Sequence, residues 1–261
     1  MASYNLGFAW TPILLEAAEN VRSSIRNVLL KRYSLDLTEL KQLIDYEAQK
    51  AIEDTMRHHD VSVRIISEEG ETIIGEEKMY LIVDPVDGTT NLARGLPFAV
   101  TSLALSETMQ LSDTIASLVM DLYTGDIYRA ERNKGAWRGL KQIQPSTHRI
   151  LEEAIISMDI SKGAHLKKVE KIIAKARHIR QLGCAALSLC LVASGVLDAH
   201  IDLRDMLRST DAAAGLLILK ESGGEYSIDG TLNGDLKLRQ QSKLNLVAAS
   251  GRELIDNIHS L

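Results

Sequence analysis

The amino-acid sequence predicts an α/β protein of the α+β type, and three features along the chain support this class. Two long helical patterns come first, a run of short strands separated by polar turns follows, and strands then alternate with helices. The 261 residues, 45% of them hydrophobic and 25% charged, are typical of a folded globular chain. This composition excludes disordered, fibrous and collagen-like classes.

The N-terminal third is predicted to contain two helices. Thr11 and Pro12 supply an N-cap and a first-turn proline, and apolar residues then recur at helical spacing as far as about Tyr33. A second helical pattern runs from about Leu37 to His59. Each helix has one apolar side, which we expect to be buried.

Strand patterns separated by short polar turns follow the second helix. They cover residues 61–66, 79–83, 98–105, 114–120 and 126–130. The pattern predicts an antiparallel sheet. We expect the second of these strands to end at Asp84, because Pro85 would force the chain out of the sheet.

From about Thr147 the elements alternate, which predicts an α/β layer. Strands are predicted at 154–158, 196–201 and 244–248, and helices at 166–177, 185–194, 211–221 and from 251 onward. The segment from Lys141 to Arg149, which contains Pro145, is the best candidate boundary. It divides the chain into an N-terminal half, residues 1–145, and a C-terminal half, residues 146–261.

Charge and cysteine content exclude several classes of function. Thirty Lys and Arg against 35 Asp and Glu give a net charge of −5, so nothing indicates a nucleic-acid partner. Cys184 and Cys190 are too few for a disulfide framework and are predicted to be buried thiols. The N-terminus lacks the pattern of a signal peptide, and no apolar run reaches the ~20 residues of a membrane span. We therefore expect a cytoplasmic protein.

The most informative segment is residues 81–91, Leu-Ile-Val-Asp-Pro-Val-Asp-Gly-Thr-Thr-Asn. An apolar strand leads to Asp84, and Asp87 stands beside backbone N–H groups that begin a turn or helix. Carboxylate oxygens suit Mg²⁺, and the N–H groups at a helix start suit phosphate. The segment therefore predicts a site for a metal and the phosphate it bridges. The alternative is an Asp-Pro turn followed by an Asp N-cap.

Other acids could join this site. Glu68 and Glu69 close the preceding strand, and neighbouring strand ends lie about 5 Å apart, so a Glu there could reach the same ion as Asp84. Asp211 begins an Ala-rich helix. Spacing alone leaves an acidic surface turn and an ordinary helix N-cap as the alternatives.

Together these segments resemble the inositol monophosphatase family of Mg²⁺-dependent, lithium-sensitive phosphatases, which includes archaeal fructose-1,6-bisphosphatases. Residues 84–91 match the first family signature in full, and residues 211–215 match most of the second. The resemblance extends from about Asp45 to the C-terminus. It implies the layered α/β/α/β/α sandwich of the inositol monophosphatase/fructose-1,6-bisphosphatase type and a homodimer.

The resemblance also implies a role for each matching residue. The N-terminal half would carry the metal site for two or three Mg²⁺, and the C-terminal half would supply Asp211 and substrate contacts. The implied metal ligands are Glu68, Asp84, the Val86 carbonyl, Asp87 and Asp211. The implied catalytic residues are Glu68 and Thr89, with Asp45 orienting Thr89. The implied substrate contacts are Asp87, Gly88, Thr89, Gly183, Cys184, Ala185, Asp202, Arg204, Arg208 and Asp211.

Three positions depart from the family pattern. Ser67 stands where a Gly usually precedes the two glutamates, and Thr210 stands where a Trp usually precedes the last aspartate. Both changes affect packing around the site rather than its ligands. Ser34 stands where many relatives carry a lysine before Asp45, which leaves the mobile loop and the third metal open.

The implied activity is hydrolysis of inositol 1-phosphate and related sugar phosphates by direct in-line attack of metal-activated water, with no covalent phosphoenzyme. The alternative is fructose-1,6-bisphosphatase activity, sole or dual, because residues 202–211 resemble archaeal members with both activities. Arg204 or Arg208 could then hold a second phosphate. Equally, these arginines could pair with Asp202 and Asp205 on the surface.

Two further alternatives are less favoured. The pair Thr90-Asn91 after Asp-Gly-Thr is typical of sugar and inositol phosphatases rather than bisphosphate nucleotidases. Some relatives bind the transcription machinery, but a purely non-catalytic role gives no physical reason to keep five acids converging on one point.

Overall fold

The computed structural model describes residues 9–161 and 166–261. It begins with two helices packed against each other, α1 (Thr11–Leu29) and α2 (Leu37–His58). The Asp36 side chain caps α2 by accepting the backbone N–H of Glu39, whose own side chain accepts the Asp36 N–H. Both predicted helices are present, and α1 ends earlier than predicted, before a turn that includes Tyr33.

Eight strands form the first sheet in the order β2-β1-β3-β4-β5-β6-β7-β8. They are β1 (Val63–Ser67), β2 (Gly70–Ile74), β3 (Tyr80–Asp87), β4 (Val100–Ser106), β5 (Thr114–Asp121), β6 (Ile127–Glu131), β7 (Ala136–Arg138) and β8 (Lys141–Gln142). A short helix, α3 (Thr89–Arg94), follows β3. All neighbouring strands are antiparallel except β1 and β3, which are parallel because the unpredicted strand β2 reverses the chain between them.

The end of β3 differs from the prediction. The strand does not stop at Asp84 but continues through Pro85 to Asp87. Asp84 pairs with Ser102 and Asp87 with Val100, so β3 carries one extra residue in this interval. This bulge accommodates the proline, which has no N–H to donate, while keeping both carboxylates on the same strand end.

Six strands form the second sheet in the order β10-β9-β11-β14-β12-β13. They are β9 (Ile155–Met158), β10 (His178–Arg180), β11 (Ala199–Arg208), β12 (Glu225–Ile228), β13 (Thr231–Leu232) and β14 (Lys243–Ala249). The accompanying helices are α4 (Leu166–Lys175), α5 (Ala185–Ala193), α6 (Ser209–Ser222) and α7 (Arg252–His259). Strand β11 runs past its predicted end, through an irregular stretch, to Arg208. Helix α6 therefore begins at Ser209, and Asp211 lies within its first turn.

The apolar residues form three clusters, which pack five layers of helices and sheets together. Helices α1 and α2 cover one face of the first sheet. Helices α5 and α6 fill the space between the two sheets, and α4 and α7 cover the outer face of the second sheet. The layered α/β/α/β/α prediction is confirmed. Helix α6 is apolar on nearly all sides, as expected for a helix enclosed between two sheets.

The structure also bears on the predictions for the cysteines and for membrane-spanning helices. Cys184 and Cys190 are both free thiols and both buried, as predicted. Among the helices of the described residues, none combines the length and apolar composition needed to cross a membrane.

Candidate active site

The predicted site residues come from elements that end in one place. Glu68 follows β1, Asp84 and Asp87 lie at the bulged end of β3, and Asp211 lies in the first turn of α6. They open onto a cavity of about 400 Å³. The predicted residues that line it are Asp45, Glu68, Asp84, Val86, Asp87, Gly88, Thr89, Gly183, Cys184, Ala185, Arg204, Arg208 and Asp211. Asp202 is not part of this lining.

Three of the acids converge closely. Carboxylate oxygens of Glu68, Asp84 and Asp211 lie within 4.8 Å of one another. Asp84 is buried, and its Oδ1 accepts the backbone N–H of Val86 at 3.1 Å. Negative charges this close repel one another strongly when water is excluded. The arrangement is therefore favourable when a cation lies among these oxygens.

The pKa values show the same electrostatic crowding. Burial, with Asp211 and other nearby acids, raises the pKa of Glu68 to about 7 against the opposing charge of Arg208. Burial and the charge of Asp211 raise the pKa of Asp87 to about 8. Burial and neighbouring carboxylates raise the pKa of Asp84 well above its ordinary value. In each case the ionised carboxylate is disfavoured because it is removed from water and lies near other acids.

The donor chemistry fits a hard divalent cation. The converging atoms are carboxylate oxygens, which Mg²⁺ and Ca²⁺ prefer over nitrogen or sulfur ligands. A second group of oxygens, from Asp45, Glu68 and Glu69, also lies within 4.8 Å and shares Glu68 with the first. Asp87 stands beside these groups, with its Oδ2 accepting the Ala186 N–H at 2.7 Å.

Thr89 connects the helix α2 to the end of β3. Its hydroxyl lies 3.0 Å from Oδ1 of Asp45 and 2.8 Å from the Val86 carbonyl oxygen, and it can donate to either. Burial raises the pKa of Asp45 to about 6, against the Thr89 hydrogen bond, which lowers it. Asp45 and Thr89 are thus held together, as the family resemblance implies.

Gly88 makes the tight turn between β3 and α3. Its φ of +91° lies in the left-handed region, and a Cβ there would sit 2.4 Å from the Phe98 carbonyl oxygen. Glycine is therefore required for steric reasons. The first turn of α3 has no side-chain cap, and Gly88, Thr89 and Thr90 line the cavity. Backbone N–H groups at this turn remain available for an anionic ligand.

The loop before α5 is fastened to the same strand end. Asn91 donates through Nδ2 to the carbonyl oxygens of Leu182, at 2.8 Å, and Phe98, at 3.0 Å. Cys184 Sγ lies 3.4 Å from the Asp87 backbone oxygen. These contacts place residues 183–185 against the cavity. Sequence reasoning assigned Asn91 no role, although its position at the end of the first signature was a signal.

The two arginines have different partners. Arg204 donates to both carboxylate oxygens of Asp202, through Nε at 2.9 Å and Nη2 at 2.6 Å. Asp202 is fully buried and Arg204 is partly buried, so this pair does not lie on the surface. Arg208 does not pair with Asp205. It forms ion pairs with Glu68 and, at 3.2 Å, with Asp211.

Six residues that line the cavity were not among the predicted site residues: Lys41, Thr90, Asn91, Asp159, Ser161 and Leu207. Lys41 stands four residues before Asp45 on α2, so helical spacing could have placed both on one side. Asp159 directly follows the buried strand β9, the same pattern that drew attention to Asp84. Ser161 carried no signal, since its Oγ reaches Arg204, at 3.2 Å, only through the fold.

Comparisons with known proteins agree with this geometry. A model of the inositol monophosphatase family matches residues 5–258. The fructose-1,6-bisphosphatase/inositol-1-monophosphatase of Methanothermobacter thermautotrophicus is 32% identical over 271 residues, covering 96% of this chain and 95% of the relative. The Archaeoglobus fulgidus protein of the same name is 33% identical over 244 residues, covering 90% and 91%. The solved structure of extragenic suppressor protein SuhB from Bartonella henselae matches with a TM-score of 0.82 at 26% identity, covering 97% and 98%. The chain belongs to the inositol monophosphatase family.

Proposed function

We propose that this protein is a Mg²⁺-dependent phosphomonoesterase that hydrolyses inositol 1-phosphate and related sugar phosphates by direct, in-line attack of water. The observation that carries the proposal is the convergence of Glu68, Asp84 and Asp211 on one polar cavity, with oxygens within 4.8 Å of one another. Membership of a phosphatase family supports it. The cavity volume of about 400 Å³ falls in the range of small-ligand sites.

The metal-binding part of the proposal assigns each acid a role. Two or three Mg²⁺ would be held by Glu68, Asp84, Asp87 and Asp211, with the Val86 carbonyl as a further ligand. When bound, Mg²⁺ supplies charge neutralisation of the phosphoryl group and a water of lowered pKa. The raised pKa values of Glu68 and Asp87 fit acids whose ionised form is completed by a cation.

The chain itself would supply the proton acceptors. The Thr89 hydroxyl can accept a hydrogen bond from the attacking water while its own hydrogen is directed at Asp45, 3.0 Å away. Asp45, with a pKa of about 6, is ionised at neutral pH and can take up the proton passed through Thr89. Glu68 is the second acceptor within reach of the same region.

The remaining predicted residues would bind the substrate. Backbone N–H groups of Gly88 and Thr89 would donate to phosphate oxygens. The polar groups around Gly183, Cys184 and Ala185 would contact hydroxyls of the sugar or inositol ring. Arg204, placed by Asp202, and Arg208 line the same cavity and would attract an anionic group of the substrate.

Fructose 1,6-bisphosphate is the second candidate substrate, for one structural reason and one from the relatives. Two arginines line the cavity, and a guanidinium matches a second phosphate in shape and charge. Both archaeal relatives are named for fructose-1,6-bisphosphatase as well as inositol-1-monophosphatase activity. Either activity uses the same metal-binding acids.

The test is phosphate release from a panel of substrates in the presence of Mg²⁺. The panel contains inositol 1-phosphate, fructose 1,6-bisphosphate, 2′-AMP and 3′-phosphoadenosine 5′-phosphate, each with and without lithium and with EDTA as the metal-free control. We expect inositol 1-phosphate to be hydrolysed and EDTA to abolish the reaction. Dominant turnover of fructose 1,6-bisphosphate would replace the first candidate by the second. No turnover of any substrate would favour a non-catalytic binding role.

The resemblance to the family also supports a homodimer as part of this proposal, and the cytoplasmic location stays a prediction from the sequence. Sedimentation equilibrium of the full chain would give the mass of the particle in solution. A monomer at micromolar concentration would contradict the dimer without affecting the proposed chemistry.

A further inference from the structure

The Arg208 side chain lies among the acids that are proposed to bind metal. Its Nη2 forms an ion pair with Oε2 of Glu68, and its Nε lies 3.2 Å from Oδ1 of Asp211. Its backbone N–H also bonds Oδ2 of Asp211 at 3.3 Å, at the start of α6. Within residues 9–161 and 166–261, no other ion pair reaches Glu68, Asp84 or Asp211.

The guanidinium and a divalent cation would compete for the same two carboxylates. Glu68 and Asp211 each contribute a carboxylate oxygen to the group that converges within 4.8 Å. The same two side chains hold Arg208. A dication on those oxygens would stand within a few ångströms of the guanidinium charge, where like charges repel strongly in a partly buried site. Arg208 and the metal therefore exclude each other from this position.

We propose that Arg208 is an internal counter-cation, which neutralises the carboxylates of the metal-free protein and leaves them when divalent metal binds. This inference rests on the proposed function, because it takes Glu68 and Asp211 as metal ligands. Arg208 is 37% exposed and lines the cavity, so the displaced side chain has room to turn towards bound substrate. There its charge would attract the phosphate.

Exchange of this kind couples metal binding to anion binding. A phosphate that draws Arg208 away from Glu68 and Asp211 removes the competitor of the metal, and metal that displaces Arg208 frees a donor for the phosphate. Thermodynamic linkage requires the two effects to be equal in free energy. With Arg208 present, metal and substrate would therefore increase each other's affinity by more than their direct contact does.

Arg204 provides a matched comparison within the same cavity. It carries the same charge, but its Nε and Nη2 are fixed on Asp202, and its Nη1 lies 3.2 Å from Ser161 Oγ. It forms no ion pair with Glu68 or Asp211 in the described part of the chain. The Arg204 variant thus shows how far any positive charge in the cavity lowers the affinity for metal. The Arg208 variant shows the effect of an arginine that is paired directly with the metal ligands.

The experiment measures Mg²⁺ and Mn²⁺ binding to the full chain by calorimetry, without substrate. It compares the wild type with Arg208→Gln and Arg204→Gln at a temperature where all three are folded. We expect Arg208→Gln to bind the first ion about tenfold or more tightly than the wild type, since close charge pairs in proteins couple by at least this amount. Arg204→Gln should change the affinity less than about threefold, because screening weakens the effect of a more distant charge.

A second measurement follows metal binding in the wild-type protein. In wild-type protein labelled with ¹⁵N-arginine, titration with Mg²⁺ should shift the Nε–H signal of Arg208 and leave that of Arg204 in place. Each signal is assigned from the corresponding Gln variant. This readout is independent of catalytic turnover and of any loss of stability in Arg208→Gln.

The possible outcomes separate this inference from the proposed function. If the wild type binds Mg²⁺ and hydrolyses phosphate esters but Arg208→Gln binds no more tightly, the counter-cation role is wrong and the function stands. An equal increase in Mg²⁺ affinity in Arg208→Gln and Arg204→Gln would also overturn it, because the loss of any positive charge in the cavity would then explain the increase. A wild type that binds no divalent cation would overturn both.

Discussion

Two groups of buried carboxylates adjoin the same cavity and differ in how their charge is compensated. Asp202 is fully buried, and both of its oxygens accept hydrogen bonds from Arg204, at 2.6 and 2.9 Å. Asp84 is equally covered, its Oδ1 accepts the Val86 N–H, and its oxygens lie near those of Glu68 and Asp211. The first group is a completed ion pair, whereas the second contains three acids and, within the described residues, one cation paired with two of them, Arg208.

The difference shows which buried acids hold the fold together and which are reserved for a ligand. A buried charge with a well-placed partner needs nothing further, whereas clustered acids raise one another's pKa and oppose folding when ionised. Burial and neighbouring carboxylates raise the pKa of Glu68 to about 7 and the pKa of Asp84 well above its ordinary value, so a bound cation would favour the ionised form of both. The sequence patterns of the two groups are similar, since each contains acids at or near the end of an apolar strand.

The largest effect is expected on turnover, when Asp211 or Asp87 of the site loses its charge. Asp211→Asn or Asp87→Asn should lower Mg²⁺-dependent turnover by roughly a thousandfold or more, because each change removes a charge needed for metal and transition-state stabilisation. Circular dichroism should show an unchanged fold. The measurement is phosphate release at saturating Mg²⁺.

A matched control for these variants is Asp256→Asn on α7, where Asp256 forms an exposed ion pair with Arg252. It should retain wild-type activity. Near wild-type turnover in Asp211→Asn or Asp87→Asn would show that these acids do not bind the essential metal.

The next effect concerns stability and tests the ion pair of Arg204 and Asp202. Arg204→Gln leaves Asp202 buried without its partner, and breaking a buried pair in this way costs about 3–5 kcal/mol of stability. The exposed pair of Arg252 and Asp256 offers the comparison, since Arg252→Gln should change stability by less than about 1 kcal/mol. Urea denaturation monitored by circular dichroism gives both values. Equal, small losses would mean that the Asp202 pair is not structural.

A smaller loss of activity is expected at Thr89. Thr89→Val removes the hydroxyl that bridges towards Asp45 and should lower kcat by roughly a hundredfold, the scale of one positioned proton-transfer group. Thr89→Ser keeps the hydroxyl and should remain within about tenfold of the wild type. If Thr89→Ser loses as much activity as Thr89→Val, keeping the hydroxyl does not preserve activity, and the proposed proton transfer from Thr89 to Asp45 is wrong.

The smallest effect is on the pH dependence of stability. The pKa values of Asp45, Glu68 and Asp87 are raised in the folded protein to about 6, 7 and 8. Between about pH 4.5 and 8 the folded protein therefore holds protons that the unfolded chain releases, so stability without metal falls as pH rises. We expect a decrease of about 1 kcal/mol or more per pH unit over this range.

Thermal unfolding in EDTA and in Mg²⁺ from pH 5 to pH 8 measures this dependence. Metal binds the ionised acids, so the increase in Tm caused by Mg²⁺ should be larger at pH 8 than at pH 5. If the Tm in EDTA rose from pH 5 to pH 8, the carboxylates of the site would not have the raised pKa values described above.

Much of the fold was predictable because its signals are local. The long helices α1 and α2 have capping residues and a continuous apolar side, and β3 to β6 are long enough to show their pattern. Strands β7, β8 and β13 were missed because a stretch of two or three residues shows no clear period. The strand end after Asp84 was wrong because the effect of Pro85 depends on a bulge against β4.

The sequence by itself determined which acids could form a metal site, because Asp84-Pro-Val-Asp87-Gly-Thr and Asp211-Ala-Ala-Ala are contiguous patterns with few structural solutions. Only the tertiary structure decided how they and the arginines are paired. Arg204 and Arg208 stand four residues apart on β11, yet one completes Asp202 and the other lies between Glu68 and Asp211. The physical reason is that charge compensation depends on distance and burial, and these are set by elements far apart in the chain.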